Sequence, residues 1–438
     1  MCTLRNHIGR LRVLKLSVVI LACFAVAPRI SAQRSLTLEE CLGIARANSI
    51  GLRLEEHAAR AAELSASELG TTGLPQVKAV GAASYAPESR SFGYDPAISN
   101  GGQLAGQAVI QQSVYDGGVR ALKSDQIQLE IERLTHERRA VDRDLVYTVS
   151  AFFVDALRAS EEAAIQAESA RQLTEYLELV RQMMRGGNAG QTDVLKTEVQ
   201  LDNARIALEK ASEEGVLAKA SLAESMGIPG DTTFVPSGVL EDPEAAAEPT
   251  VSVDSAATID LRMAGLEAQK AVLDVEMAQR ERLPAVSFSG DAGVLSSLDN
   301  LRLPPGERVT GLGYSIGVLV ELPLFTWGSI GLRVEQRQLA AESQRLRLEQ
   351  LKRTLRTEVN GVRAQMQTAR SALRTLKGTL RSAEDAYLLT KSKFAGGGTL
   401  SIEVLSAQQL LADTRTARLH SLAEWHTLKA RLAQLTAQ

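Results

Sequence analysis

The sequence predicts a mainly α-helical protein that carries membrane β-strands, built from one helix–β-hairpin–long helix–helix unit used twice. Three observations carry this prediction. First, the second half repeats the first at a shift of about 210 residues: Met184–Leu195 lies over Phe394–Leu405, and Tyr115-Asp116-Gly117-Gly118 over Phe325-Thr326-Trp327-Gly328. Leu74-Pro75 lies over Leu283-Pro284, one residue off. A period this long is no solenoid unit, so one substantial structure occurs twice. Second, two helical stretches far exceed the usual globular length, which marks coiled coils and helical repeats. Third, four segments alternate apolar and polar residues over roughly ten positions, as transmembrane β-strands do.

The chain begins like an export signal. Arg5, Arg10, Arg12 and Lys15 precede the apolar run Leu16–Val26, which is too short to span a bilayer. Ile30-Ser31-Ala32 offers small residues for cleavage, so residues 1–32 read as a signal peptide. An uncleaved anchor is the alternative, and Ile20-Leu21-Ala22-Cys23 offers a weaker one with acylation at Cys23. Removing residues 1–32 takes five basic and no acidic side chains from totals of 49 and 52, leaving a mature net charge of −8. That balance argues against nucleic acid as a partner. Of three cysteines only Cys41 remains, so an intramolecular disulfide is excluded. Aromatic content is only 4%, too little for a large globular core, and the Ala-, Leu-, Glu-, Gln- and Arg-rich stretches point to long helices.

The first repeat covers residues 33–226. It opens with a helix over roughly Leu38–Leu69, then strands at about 76–86 and 104–116. A long helix at about 118–185 follows, on the order of 100 Å at 1.5 Å per residue. Ile127, Ile131, Leu134, Val141, Leu145 and Phe152 keep steps of three, four and seven, and Leu173, Leu177, Val180 and Met184 resume them. This is a seam for neighbouring helices, interrupted where Arg138 takes a seam position. Residues 227–257, with Pro229, Pro236, Pro243 and Pro249, read as an irregular linker on the outside of the assembly.

The second repeat, 258–438, is clearer. In the strand at about 285–295, Val286, Phe288, Gly290, Ala292 and Val294 alternate with Ser287, Ser289, Asp291 and Gly293. In the strand at about 311–325, Leu312, Tyr314, Ile316, Val318, Val320 and Leu322 share one face, with Leu319 the exception on the other. The long helix at about 329–394 carries the seam Leu351, Leu355, Val359, Val362 and Met366. A half-buried soluble sheet would alternate similarly, but helices of this length leave it no obvious core to cover. Four strands cannot close a barrel that needs at least eight, so the barrel is shared among chains, and three copies give twelve strands.

With these segments in order, the chain resembles the TolC-like outer-membrane efflux proteins. Leu36-Thr37-Leu38-Glu39-Glu40-Cys41-Leu42 with Ala45 and Asn48 resembles the family's opening helix. Leu74-Pro75 and Leu283-Pro284 resemble the points where its chain passes into the barrel. Tyr115–Gly118 and Leu324–Gly328 resemble its exits, and the Gly-rich turns with Asp193-Val194-Leu195 and Glu403-Val404-Leu405 its periplasmic tips. The resemblance implies a homotrimer whose 12-stranded β-barrel lies in the outer membrane of a Gram-negative bacterium, continuous with a 12-helix periplasmic α-barrel. It implies a passive duct of a tripartite efflux or type I secretion system. The implied partners are outer-membrane lipid, a periplasmic adaptor (membrane fusion) protein and an inner-membrane pump of the RND, ABC or MFS type. A non-conducting periplasmic coiled-coil scaffold or adaptor is the alternative from another class.

The site residues divide into three groups. The turns Gly186, Gly187, Asn188, Gly190 and Gly396, Gly397, Gly398, Thr399 permit tight reversal between paired helices, and the resemblance adds adaptor docking. Asp193 and Glu403 fall in the first turn of a helix, where an acid complements the dipole. The resemblance places them, with Thr192, at a periplasmic gate, where a trimer would gather six carboxylates. Ser406, Thr399 and Phe394 depart from the prototype, which has a second acid, an arginine and a tyrosine there. Tyr85, Tyr115, Tyr314, Phe325 and Trp327 fall near strand ends, as interfacial anchors or as ordinary packing at the sheet–helix junction. The histidines lack metal-ligand spacing and no phosphate loop or nucleophile elbow occurs, so no catalytic residue, metal or cofactor is expected.

Overall fold

The computed structural model describes residues 34–84, 103–243, 258–297 and 310–437. The elements run β1 (Ser35–Leu36), α1 (Leu38–Asn48), α2 (Ile50–Thr71), β2 (Gln76–Ser84), β3 (Gln103–Asp116), α3 (Val119–Arg185) and α4 (Gln191–Ser225). The second half follows as β4 (Val235–Pro236), α5 (Ile259–Arg280), β5 (Ala285–Ser297), β6 (Thr310–Glu321), α6 (Ser329–Ala395) and α7 (Ser401–Thr436). The expected signal peptide, Cys23, Tyr85 and both hairpin loops lie outside the described residues.

The duplication is visible at single-residue register. Helices α3 and α6 are 67 residues each, and each begins behind a left-handed N-cap glycine, Gly118 (φ 80) or Gly328 (φ 81). One residue earlier, Gly117 has φ 70 and its counterpart Trp327 has φ 54. A Cβ on Gly117 would lie 3.2 Å from the Arg280 carbonyl oxygen, so that position requires glycine. Trp327 is 86% exposed and has room for its side chain at the cost of a strained backbone.

Both hairpins join one antiparallel sheet in the order β2-β3-β5-β6. The register opposes Val77 to Ile110, Ile110 to Gly290 and Gly290 to Ile316, so the faces of the four strands coincide. One face carries Val77, Ala79, Leu104, Ala108, Ile110, Val286, Phe288, Ala292, Val294, Leu312, Tyr314, Ile316, Val318 and Val320. The other carries Lys78, Gln107, Gln111, Ser287, Ser289, Asp291, Ser315 and Glu321, and Ser315 donates to the Asp291 carboxylate. Along β6 the apolar face is 60–85% exposed from Val320 to Leu312, so none of the described residues covers it.

Beyond the sheet the helices form a wall. Near the sheet the neighbours run α2, α3, α5, α6, and toward the far end α4, α3, α7, α6. Three main clusters hold this wall. Phe153, Leu157, Leu222 and Met226 pack α3 and α4 against Leu36, Cys41 and Phe234. Val359, Met366, Leu373, Leu422 and Trp425 join α6 to α7. Leu173, Tyr176, Val180, Leu201, Tyr387, Phe394, Val404 and Leu411 bring α3, α4, α6 and α7 together at the far end.

Four expectations are corrected. The opening helix breaks at Ser49, whose ψ of 117° is non-helical and whose Oγ accepts from the Leu52 N–H at 3.2 Å, restarting the helix. The last strand stops at Glu321 rather than 325, because Pro323 lacks the N–H a ladder needs. Phe325 and Trp327 therefore stand beyond the sheet. On α3, Phe153 takes the buried place expected of Phe152, which is 37% exposed, and Met184 is 38% exposed. The linker contributes a strand, β4, which pairs in parallel with β1 and ties the two ends of the first repeat.

Candidate functional site

The two Gly-rich turns sit at the end of the helices farthest from the sheet, and they share one geometry. Gly187 and Gly397 are left-handed at φ 78 and 74. The Asn188 N–H donates to Met183 O at 2.8 Å and the Gly187 N–H to Met184 O at 3.0 Å. In the second turn the Gly398 N–H donates to Lys393 O at 2.8 Å and the Gly397 N–H to Phe394 O at 2.9 Å. This double closure is the Schellman cap, which satisfies the last carbonyls of a helix and reverses the chain. Gly186 and Gly396 are the C-cap residues and Gly190 the extended N-cap of α4. Gly398 supplies the closing N–H.

Asp193 and Glu403 occupy equivalent places, third in α4 and third in α7. They use them differently. The Asp193 carboxylate accepts from the Gly190 backbone N–H at 3.0 Å, closing a helix start that glycine cannot cap by itself. The Glu403 carboxylate accepts instead from the Thr399 hydroxyl. Each acid is thus tied to its own turn, and Thr399 has a task despite departing from the prototype. Glu403 is exposed and Asp193 half-buried, while Thr192 is exposed beside it. Val194 and Val404, one residue past each acid, enter the same buried cluster, so the two tips lie side by side.

The sequence reading missed the bonds that join the two tips. The Tyr176 hydroxyl donates to Ser401 Oγ at 3.0 Å, and the Gln408 side-chain amide donates to Ser169 Oγ at 2.7 Å. All four residues are buried. Ser169 and Tyr176 are seven apart on α3, and Ser401 and Gln408 seven apart on the antiparallel α7, so the bonds form a two-rung ladder between the repeats. Phe394 packs against Tyr176 with the rings tilted and their centroids 5.4 Å apart. Burial pushes the Tyr176 phenol up to about 12, so it stays a donor at any ordinary pH. The signal in the sequence is a polar residue in line with each helix's apolar positions, Ser169 four residues before Leu173 and Gln408 four after Val404.

The aromatic group divides. Tyr115 in β3 is 44% exposed and Tyr314 in β6 is 81% exposed, both on the apolar face. Phe325 and Trp327 contact each other edge-on at 4.8 Å below the sheet. Tyr85 lies outside the described residues. Among the described residues no helix is long and apolar enough to cross a membrane, and no group of His, Cys, Asp or Glu has the arrangement of a metal site.

Comparisons with known proteins agree with this architecture. The family model described as "Outer membrane efflux protein" matches residues 41–228 and 256–438. The fold is similar to that of CusC, at 16% identity and a TM-score of 0.79, with 92% of each chain covered. It is similar to VceC from Vibrio cholerae at 17% identity and TM-score 0.74, covering 91% of this chain and 96% of that one. It is similar to the Campylobacter jejuni CmeC channel at 15% identity and TM-score 0.77, covering 91% and 85%. No curated protein sequence matches the chain.

Proposed function

The chain belongs to the outer membrane efflux protein family and is an outer-membrane channel with a large periplasmic part, and from that premise we propose that three copies assemble into one continuous duct. The observation that carries this reading is the sheet. Most of its apolar residues share one face, with Val80, Val109 and Leu319 on the other, and among the described residues nothing pairs with the free edges of its outer strands β2 and β6. Lipid covers the apolar face, and a barrel has no edges. Because β2 and β6 run antiparallel in a four-strand sheet, β6 of one chain can pair with β2 of the next in the same antiparallel sense. Three chains then give twelve strands.

The helical wall supports the same closure. Near the sheet its outer helices are α2 and α6. Leu332, Leu339 and Leu346 are exposed at intervals of seven on α6, and Ile50, Leu54 and Leu64 are exposed on α2. Each stripe is about 21 Å long, and the helices run in opposite directions relative to the sheet. Toward the tips the outer helices are α4 and α6. Leu195, Val199, Ile206 and Leu217 are exposed on the side of α4 opposite its buried Val194, Leu201, Ala204 and Ala218. Exposed Ala364, Ser371 and Gly378, again seven apart on α6, admit a close neighbour. Repeated outer seams on both ends of the wall suit a closed ring better than a monomer.

At the far end, Asp193 and Glu403 of three chains would place six carboxylates around one axis, a ring that favours cations over anions. The turns, being the part farthest from the membrane, are the natural docking surface for a periplasmic adaptor, through which an inner-membrane pump of the RND, ABC or MFS type supplies the energy. Replacing both acids, Asp193→Ala with Glu403→Ala, is expected to raise single-channel conductance in planar bilayers and weaken cation preference. Unchanged conductance and selectivity would remove these acids from the gate.

A further inference from the structure

Arg138 breaks the hydrophobic seam of α3, and the structure gives that interruption a place. Beside it, where α1, α2, α3 and the start of α5 meet, is an open cleft of about 780 Å³. Five arginines line it, Arg46, Arg53, Arg138, Arg139 and Arg143, against two acids, Glu56 and Asp142.

Two of the five are neutralised. Arg46 binds Asp142 through two nitrogens at 2.6 and 2.9 Å. Arg143 reaches Asp260 at 2.6 Å and Asp144 at 2.9 Å. The other three have no ion pair among the described residues. Arg53 donates only to the carbonyls of Asn48 at 3.2 Å and Ser49 at 3.4 Å, which carry no formal charge. Arg138 and Arg139 are exposed on adjacent positions of α3. Guanidinium groups gathered in one cleft repel one another unless an anion stands between them.

A second observation is independent of the arginines. Among the described residues, two buried polar atoms on residues flanking the lining positions in sequence have no hydrogen-bond partner, His136 Nδ1 and Thr258 Oγ1. His136 lies between lining residues Thr135 and Arg138, and Thr258 directly precedes lining residue Ile259. Both residues are more than nine-tenths buried, and buried polar atoms without partners are rare in native proteins. Thr258 is also the N-cap of α5, yet its side chain caps nothing.

We propose that this cleft binds a small soluble multivalent oxyanion of the phosphate class, held by Arg53, Arg138 and Arg139. Planar guanidinium forks match the oxygens of such an anion, and three charges suit one that carries more than a single charge. The cleft lies about 20 residues down α3 from the sheet, roughly 30 Å away. That separation exceeds the depth of a headgroup layer, so a free anion and not a lipid headgroup is the ligand. Bound there, it would brace α1 and the outer helix α2 against α3.

Calorimetric titration of the full-length assembly in detergent with sodium phosphate, against sodium chloride at equal ionic strength, tests the site. The expected result is saturable phosphate binding near one per chain, absent with chloride. It should weaken at least tenfold in Arg138→Gln with Arg139→Gln. Arg345→Gln, an exposed arginine elsewhere on α6, should leave it unchanged. Absence of saturable binding in the unaltered protein, or equal binding in all three proteins, would overturn the proposal. Phosphatidylglycerol vesicles competing equally well would overturn the choice of a free anion.

Discussion

Ile316→Arg is expected to abolish most of the assembled protein in the outer membrane, whereas Gln111→Arg leaves its amount unchanged. Ile316 is 71% exposed in the middle of β6, on the face that gathers the apolar residues of all four strands. If lipid covers that face, an arginine there costs about 2–4 kcal/mol near the bilayer midplane. Each barrel would incur the cost three times, because the substitution is repeated in every chain. Gln111 faces the other way, beside Gln76 and Ser289, where water in a lumen accommodates the same charge. Both residues belong to strands and neither enters the buried clusters that hold α3 and α6, so folding of the wall is common to both variants. Equal losses from the two substitutions, measured as protein in the outer-membrane fraction, would contradict the assignment of faces.

Leu339→Asp is expected to eliminate the form that migrates at trimer mass without heating and at monomer mass after boiling. Leu339 is 65% exposed in the chain and sits midway between Leu332 and Leu346 on the outer edge of α6. Covering a leucine side chain contributes about 1.5–3 kcal/mol. Aspartate would remove that contribution and set a charge against the stripe of α2 that carries Ile50, Leu54 and Leu64, with exposed His57 between the two leucines. Leu339→Ala should weaken the same form without eliminating it, which separates lost burial from an added charge. The intrachain seam is untouched, since Val359 and Met366 face α7 on a different side of α6. Full retention of the heat-modifiable species in Leu339→Asp would place the protomer boundary elsewhere.

The parts of the fold that were legible in sequence are those set by local chemistry. Helix starts at Gly118 and Gly328 and left-handed turns at Gly187 and Gly397 require glycine geometry, so they recur at a fixed spacing in both repeats. Strand faces follow from a period of two, which Val286–Val294 and Leu312–Val320 state plainly. Interruptions were harder. The break at Ser49 depends on a single hydroxyl capping a helix that continues at once, and helical periodicity on either side conceals it. The choice between Phe152 and Phe153 depends on which neighbour α3 meets at that level, and Phe153 is taken up by the cluster containing Leu36 and Phe234. Ser169, Tyr176, Ser401 and Gln408 are polar in a buried seam. Their pairing across 225 and 239 residues is a tertiary fact with no local signature.

The candidate site was legible to the same degree. The positions of Asp193 and Glu403 in their helices follow from the turns before them. Their unequal partners, a backbone N–H for one and the Thr399 hydroxyl for the other, depend on side-chain length. Asp193 thus holds a backbone N–H of its turn, and Glu403 holds only a side chain of its own.

The central claim is that this chain forms a water-filled passage by sharing its sheet among copies. Purified, detergent-solubilised protein added to a planar lipid bilayer tests it most directly. The account predicts discrete, uniform current steps with cation preference. A protein that stays soluble, or that inserts without producing steps, would contradict it.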